Sequence, residues 1–554
     1  MPSPTELKPD YYLTNFQTLV DFVMKRYQHL LSEKELAFRR RLETLDINSR
    51  RLFVRLLLRK GVPSSAGALF RQDKLNYAEI QHLPRAVVRL IDAGLLQRNP
   101  KLPVEAYLPL YNRAELAALS PIPLPRSLKR QALVRALLEQ SPQPLNLQEA
   151  LSRFGPVLAV QKAEHFKTFR LLFFGNLSQD LSEFVLRDLG LYRYEPYPLE
   201  QRHLPFRSRA QVEQHLLYYQ CQEELGDALD KGKDAILALA ERLPSGIDGD
   251  AALQRRLDRL RLSLARQLER LEALEDAERL YRLCTHPPAK ERRARIAVKR
   301  GDIENGLALC REILATPCNE AERIFAERFG HRTAKNTVFE NDWPPPIQYR
   351  PPAQTIRLPK SLERVELLVM KHLEKSDGGC CYYVENNLLS SVLGLYCWDI
   401  VFKPIPGAFY NPFQAEPGDF RTADFYPSRQ WAFDRRLAEL NTETLTQRVW
   451  RCYREKRGIT NPLVIWQALS DKLLQLALTH IPAPHWYQLF RRFLADITHH
   501  RNGLPDLILF PESGGYRLLE VKGPGDRLQP NQLRWLTFFA QHQIPHGVLH
   551  VEWQ

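Results

Sequence analysis

Between residues 503 and 526 the chain reads GLPDLILFPESGGYRLLEVKGPGD, two apolar runs joined by Pro-Glu-Ser-Gly-Gly. Branched and aromatic residues bounded by turn formers predict two strands and a hairpin. Alternation along the second strand puts Tyr516, Leu518, Glu520 and Lys522 on one face and Leu519 and Val521 on the other. Near the N-terminus the apolar spacing is helical instead. RRLFVRLLLRKG and RAVVRLIDAGLL each run into a glycine, Gly61 and Gly94, where a C-cap belongs. A helix, a glycine and a short apolar run are compatible with a winged-helix-like unit over 1–120. The Pro-rich SPIPLPRS marks a boundary near residue 120. Beyond it, SLKRQALVRALLEQ and FKTFRLLFFGNLSQDLSEFVLRDLGLY read as further helical stretches with several basic residues, giving a second helical domain over 121–204.

From 205 to 340 long charged helices follow one another, with turns at KGK, PSGIDGD, HPPAK and RGD. Leu274, Ala277, Tyr281 and Cys284 fall on one helical stripe. KERRARIAVKRGDIENGLALCREIL reads as a helical hairpin turned at Gly301-Asp302. Stacked hairpins of roughly tetratricopeptide size fit this stretch. The proline-dense 341–361, NDWPPPIQYRPPAQTIRLPKS, reads as an extended linker. The last domain is then 362–554. The fold class expected is multidomain, mostly α-helical in its N-terminal and middle parts, with an α/β domain at the end.

Charge adds a partner to this picture. The chain has 554 residues and a formal net charge of +14, with pI about 9.3. Such an excess suggests a polyanion, most simply nucleic acid. Eight cysteines form no CxxC pair, and Cys284, His286 and Cys310 lack a zinc-binding spacing. Free thiols in a reducing, cytoplasmic compartment are expected, nucleoid-associated in a bacterium. MPSPTELKPDYY carries no secretory pattern, and no run approaches a membrane span.

Three ionised side chains inside a buried hairpin each need a partner. Pairing about the PESGG turn brings Asp506 opposite the end of the second strand that carries Glu520 and Lys522. Two close carboxylates repel unless a cation intervenes. Oxygen-liganded Mg²⁺ or Mn²⁺ suits them, with the Val521 carbonyl as a further donor. Lys522 is then placed to orient or deprotonate an attacking water, an arrangement suited to phosphodiester hydrolysis. The alternative is an ordinary salt-bridged hairpin without chemistry.

GLPDLILF, LLEVKGPGDRL and NQLRWL together resemble the virus-type replication-repair nuclease (VRR-NUC) module of the PD-(D/E)xK superfamily. Gln532, a supporting residue, and Trp535 occupy the helix that follows the Glu-x-Lys strand there. Upstream, VENNLLSSVLGLYCWDIVF followed by IPGAFYNPFQ resembles the Fanconi-associated nuclease family. In that family a Glu before the Asp joins the metal site, and by that match the residue is Glu385. Its place before an apolar stripe of Leu388, Leu389, Val392, Leu395 and Tyr396 predicts the first turn of a helix.

The resemblance implies winged-helix-like (1–120) and SAP-like (121–204) DNA-binding parts, a tetratricopeptide-like part (205–340), then the nuclease domain with an insertion at about 401–498. It implies a metal-dependent nuclease that cuts near a 5′ flap, degrades 5′ to 3′ and helps to unhook interstrand crosslinks. The expected partner is branched or flapped DNA, with 5′-phosphorylated ends as a candidate feature. No Cys/His cluster matches the ubiquitin-binding zinc finger of eukaryotic members.

Arg292, Arg295 and Lys299 form one cationic stripe of a predicted helix and are candidates for DNA or 5′-phosphate contact. Arg501 and Arg527 flank the motif and are further candidates, because a guanidinium fork matches phosphate oxygens. His499 and His500 read as surface or core-edge residues rather than proton shuttles. Two other readings compete: a junction-resolvase-like or restriction-type nuclease, and a non-catalytic DNA-binding scaffold.

Overall fold

The computed structural model describes residues 8–120, 128–140, 145–190, 192–346 and 349–554. It divides into two compact units, Met1–Leu191 with Phe206–Leu216, and Tyr192–Pro205 with Leu217–Gln554.

The first unit packs the helices Tyr11–Tyr27, Glu33–Glu43, Ile47–Leu58 and Leu83–Asp92 beside a small sheet. The Glu33 helix opens on a reciprocal cap: Ser32 Oγ accepts from the Glu35 N–H, and the Glu35 carboxylate accepts from the Ser32 N–H. Gly94, at φ +63°, ends the Leu83 helix as the sequence predicts. Gly61 does not play that part. Its helix stops at Leu58, and a Cβ on Gly61 would sit 2.7 Å from the tip of the Phe70 ring, which would have to shift.

The sheet consists of β1 (Leu69–Arg71), β2 (Leu96–Arg98) and β3 (Val157–Val160), antiparallel in the order β1-β3-β2. The expected boundary near residue 120 is therefore not a boundary of the fold. The central strand comes from the far side of it, because two three-residue strands hold no sheet without a partner between them.

In the second unit the helices Ala251–Arg270, Leu274–Arg282, Ala289–Lys299, Ile303–Ala315 and Glu320–Ala334 pack in succession. The turn at Gly301 is left-handed, and the Asp302 side chain caps the next helix by accepting from the Asn305 N–H. Ala277 and Tyr281 of the predicted stripe are fully buried.

The second sheet runs β4 (Ala353–Leu358), β8 (His546–Trp553), β7 (Arg517–Lys522), β6 (Leu507–Phe510), β5 (Cys380–Tyr383). β4 and β7 lie parallel to β8, whereas β6 runs antiparallel to both of its neighbours, β7 and β5. β4 corrects the linker reading, since residues 353–358 are an edge strand whose hydrogen-bond partners arrive some 190 residues later in β8.

Leu507, Leu509, Leu519 and Val521 bury one face of the sheet with Val369 and Leu373 of the helix Val365–Ser376. Ile508, Leu518 and Val548 bury the other with the helices Leu388–Tyr396, Thr442–Glu455, Asp471–His480, Ala483–Ala495 and Pro530–Gln541. The stretch 401–498 is thus part of the core wall, and not a separable insertion. All eight cysteines are free. No helix among the described residues is long and apolar enough to cross a membrane.

Candidate active site

The β6–β7 ladder pairs Leu507 with Leu519 and Ile508 with Leu518, so the next step sets Asp506 against Glu520. Here the backbone ladder ends and a side chain takes over. Asp506 Oδ2 accepts from the Val521 N–H at 2.9 Å. On its other side the Asp506 carbonyl accepts from the Val384 N–H at 2.8 Å, which extends the β5–β6 pairing by one residue. Gly503 lets the chain enter this strand: its φ is +85°, and a Cβ would lie 2.8 Å from the Asn531 backbone. That explains the glycine of the GLPD signature.

Asp506, Glu520 and Lys522 are 8 %, 1 % and 7 % exposed. Lys522 Nζ lies 2.8 Å from Glu520 Oε1. Gln532 Nε2, in the first turn of the Pro530 helix, donates to the same oxygen at 2.6 Å. Burial pushes the Asp506 carboxyl up to about 6; the Val521 hydrogen bond opposes this, and the charges of Glu385 and Glu366 add to it. Burial pushes Glu520 up to about 7, and the charge of Asp506 contributes next. Each carboxylate's charge thus raises the cost of ionising the pair, and both resist ionisation.

Glu385 is not in the first turn of a helix. It sits in the turn between β5 and the Leu388–Tyr396 helix, whose N-cap is Asn387. The carboxylate accepts a hydrogen bond from the Tyr383 hydroxyl. That hydroxyl in turn accepts from the Arg364 guanidinium at 3.1 Å. Asn386, left-handed at φ +56°, ties this turn to the GLPD loop by accepting from the Leu504 N–H at 3.1 Å.

Tyr383, Arg364 and Glu366 were not singled out from the sequence. Glu366, in the first turn of the Val365 helix, bears a charge that Asp506 feels, and Arg364 lies 3.4 Å from it. The signal available was an acid opening the amphipathic VELLVMKHL, which alone describes many helices.

A preformed metal cage is absent: among the described residues no three His, Cys, Asp or Glu side chains are set to hold an ion. Glu385 is turned to Tyr383 here. The donors themselves do fit a hard cation. Two buried carboxyls, both resisting ionisation and balanced by one lysine, match the oxygen preference of Mg²⁺ or Mn²⁺.

The predicted cationic stripe is not free. Arg292 pairs with Glu269, Arg295 with Glu291 at 3.1 Å and Lys299 with Glu272 at 2.6 Å. Neighbouring Arg293 and Arg300 pair with Glu278 and Glu275. Four of these five acids come from the preceding hairpin, which sequence distance concealed. Arg501 donates to the Pro462 carbonyl at 2.9 Å and is half-buried, whereas Arg527 is exposed. His499 bonds Asp496, and buried His500 bridges the Arg492 carbonyl and Glu320. Trp535, Phe538 and Phe539 are core.

A mixed sheet covered by helices, with Asp506 immediately before one strand and Glu-x-Lys on the next, defines a metal-dependent nuclease of the VRR-NUC class, a hydrolase of DNA phosphodiesters. The VRR-NUC domain family model matches residues 441–553, beginning inside the stretch expected to be an insertion, and the model for the FAN1, HTH domain matches residues 10–97.

The Fanconi-associated nuclease 1 homolog of Pseudomonas aeruginosa is 37% identical over 100% of this chain and 97% of its own. The homolog of Arabidopsis thaliana is 25% identical over 96% of this chain and 65% of its own. The human protein is 34% identical over 34% of this chain and 20% of its own. The crystal structure of paFAN1 bound to 2nt 5′ flap DNA with gap is similar over 100% of both chains, with a TM-score of 0.85 and 35% identity. The chain belongs to the Fanconi-associated nuclease family of structure-selective DNA nucleases.

Proposed function

We propose that this nuclease is a 5′-flap endonuclease with 5′-to-3′ exonuclease action that serves interstrand crosslink repair. The observation that carries the reading is the full-length likeness to paFAN1, whose crystal structure contains 5′ flap DNA. Asp506, Glu520, the Val521 carbonyl and, once released by Tyr383, Glu385 would hold Mg²⁺ or Mn²⁺. When bound, the ion supplies charge stabilisation at the scissile phosphate and acidifies a water.

The remaining work falls to side chains. The Val521 N–H fixes one oxygen of Asp506. Gln532 and Lys522 fix one oxygen of Glu520 and leave the other available. Lys522, held on this carboxylate, would orient the attacking water and exchange a proton with it. Exclusion of bulk solvent by the apolar walls of β6 and β7 strengthens each of these contacts.

The test is cleavage of end-labelled 5′-flap, 3′-flap, four-way-junction and crosslinked duplex DNAs with Mg²⁺, Mn²⁺ or EDTA. The expected result is metal-dependent incision of the 5′ flap and passage of the crosslink. Preference for the four-way junction, cut symmetrically, would replace this reading with a resolvase.

A further inference from the structure

Of the eight tryptophans, Trp431 alone is exposed, at 70 %, while the rest are buried or half-buried. It stands near the start of the helix Gln430–Ala438, lining a recess of about 360 Å³ with Lys403, Arg435, Arg436 and Arg448. Lys403 Nζ and the Arg435 guanidinium lie over its ring, each 5.6 Å from the centroid. Two acids enter the same recess. Asp399 is taken by Arg436 at 2.8 Å, and Glu439 by Arg435 at 3.2 Å and Arg448 at 3.5 Å. Four cations against two acids leave an excess of two positive charges. Among the described residues no carboxylate comes within ion-pair distance of Lys403.

An indole left in water forgoes a large burial gain. At 5.6 Å the two cations sit at the outer range of cation–π contact, about 6 Å, so they do not seal its face. Here the surround is cationic, which suits a flat base on the ring and phosphates beside it.

The recess is also tied to the nuclease centre. The helix Leu388–Tyr396 begins three residues after Glu385, rises about 13 Å, and hands over to Asp399 at the recess. We propose that Trp431 and its cations form a stacking site for a nucleotide of single-stranded DNA continuous with the strand at the Asp506–Glu520 centre. The link to cleavage rests on the nuclease reading of that centre, whereas the binding site itself does not.

The test uses the full chain in EDTA, titrated with oligothymidylate at low salt and followed by tryptophan fluorescence. Quenching is expected, and Trp431→Ala should remove it and weaken affinity about tenfold, within the range for one base–aromatic stack. Trp431→Phe should recover part of the affinity. Lys403→Ala should lower the slope of log K against log salt by about 0.7, one single-strand phosphate contact. On a 5′-flap substrate, Trp431→Ala should raise KM and keep kcat. Asp506→Asn should keep the quench, which separates this site from any error in the catalytic assignment. Unchanged quenching and affinity in Trp431→Ala overturn the proposal. So does self-association that Trp431→Ala abolishes without any response to oligothymidylate, which would make the patch a protein contact.

Discussion

Asp506→Asn removes a charge and keeps the shape, because the amide oxygen can still accept from the Val521 N–H. The raised Asp506 carboxyl holds its proton in the folded chain up to about 6, against an ordinary 3.8. Its stabilising share is therefore complete below the ordinary value and is lost as pH rises through about 6. By about pH 8 the metal-free fold should have lost about 3 kcal/mol from this group. The asparagine variant escapes that loss. It also relieves Glu520, whose carboxyl is raised to about 7 partly by the Asp506 charge.

Thermal melts in EDTA should therefore converge for the two proteins only as pH falls below the ordinary 3.8, to about pH 3. By about pH 8 they should separate, with the variant melting higher on the order of 5 °C. Mn²⁺ should raise the wild-type melting temperature at about pH 8 and leave the variant nearly unmoved, since a ligand stabilises only the state that binds it. Cleavage should be lost. Equal pH dependence of both proteins in EDTA, together with equal Mn²⁺ shifts, would refute the argument that Asp506 is a buried carboxyl in need of a cation.

Lys522→Met should reduce cleavage by roughly 10²–10⁴-fold, the range for a positioned proton-transfer group. DNA affinity, measured in EDTA, should stay close to wild type because it comes from distributed basic surface. Gln532→Ala should lower Mn²⁺ affinity or activity by about 10–100-fold, read by metal titration beside a cleavage assay, because it frees Glu520 to turn. Arg292, Arg295 and Lys299, all changed to alanine, should leave the salt dependence of DNA binding unaltered. They should instead lower the melting temperature slightly, each lost pair contributing up to about 1 kcal/mol; a flattened salt slope would restore them as DNA contacts.

Local sequence determined those features whose partners lie close along the chain. The β6–β7 hairpin, with Asp506 set against Glu520, follows from alternation and from a short turn that leaves one register. The Gly94 stop and the Gly301-Asp302 turn were legible for the same reason.

Tertiary structure decided what needed a distant partner. Residues 353–358 become a strand only because β8 offers an edge, and β3 completes a sheet begun some 85 residues earlier. Glu385 is held by Tyr383, and the basic stripe is neutralised by acids of the preceding hairpin. Charge and apolar pattern specify which face of an element is wet or dry. They do not specify which ion or strand edge meets it across the fold, since that depends on contacts whose sequence separation carries no local signal.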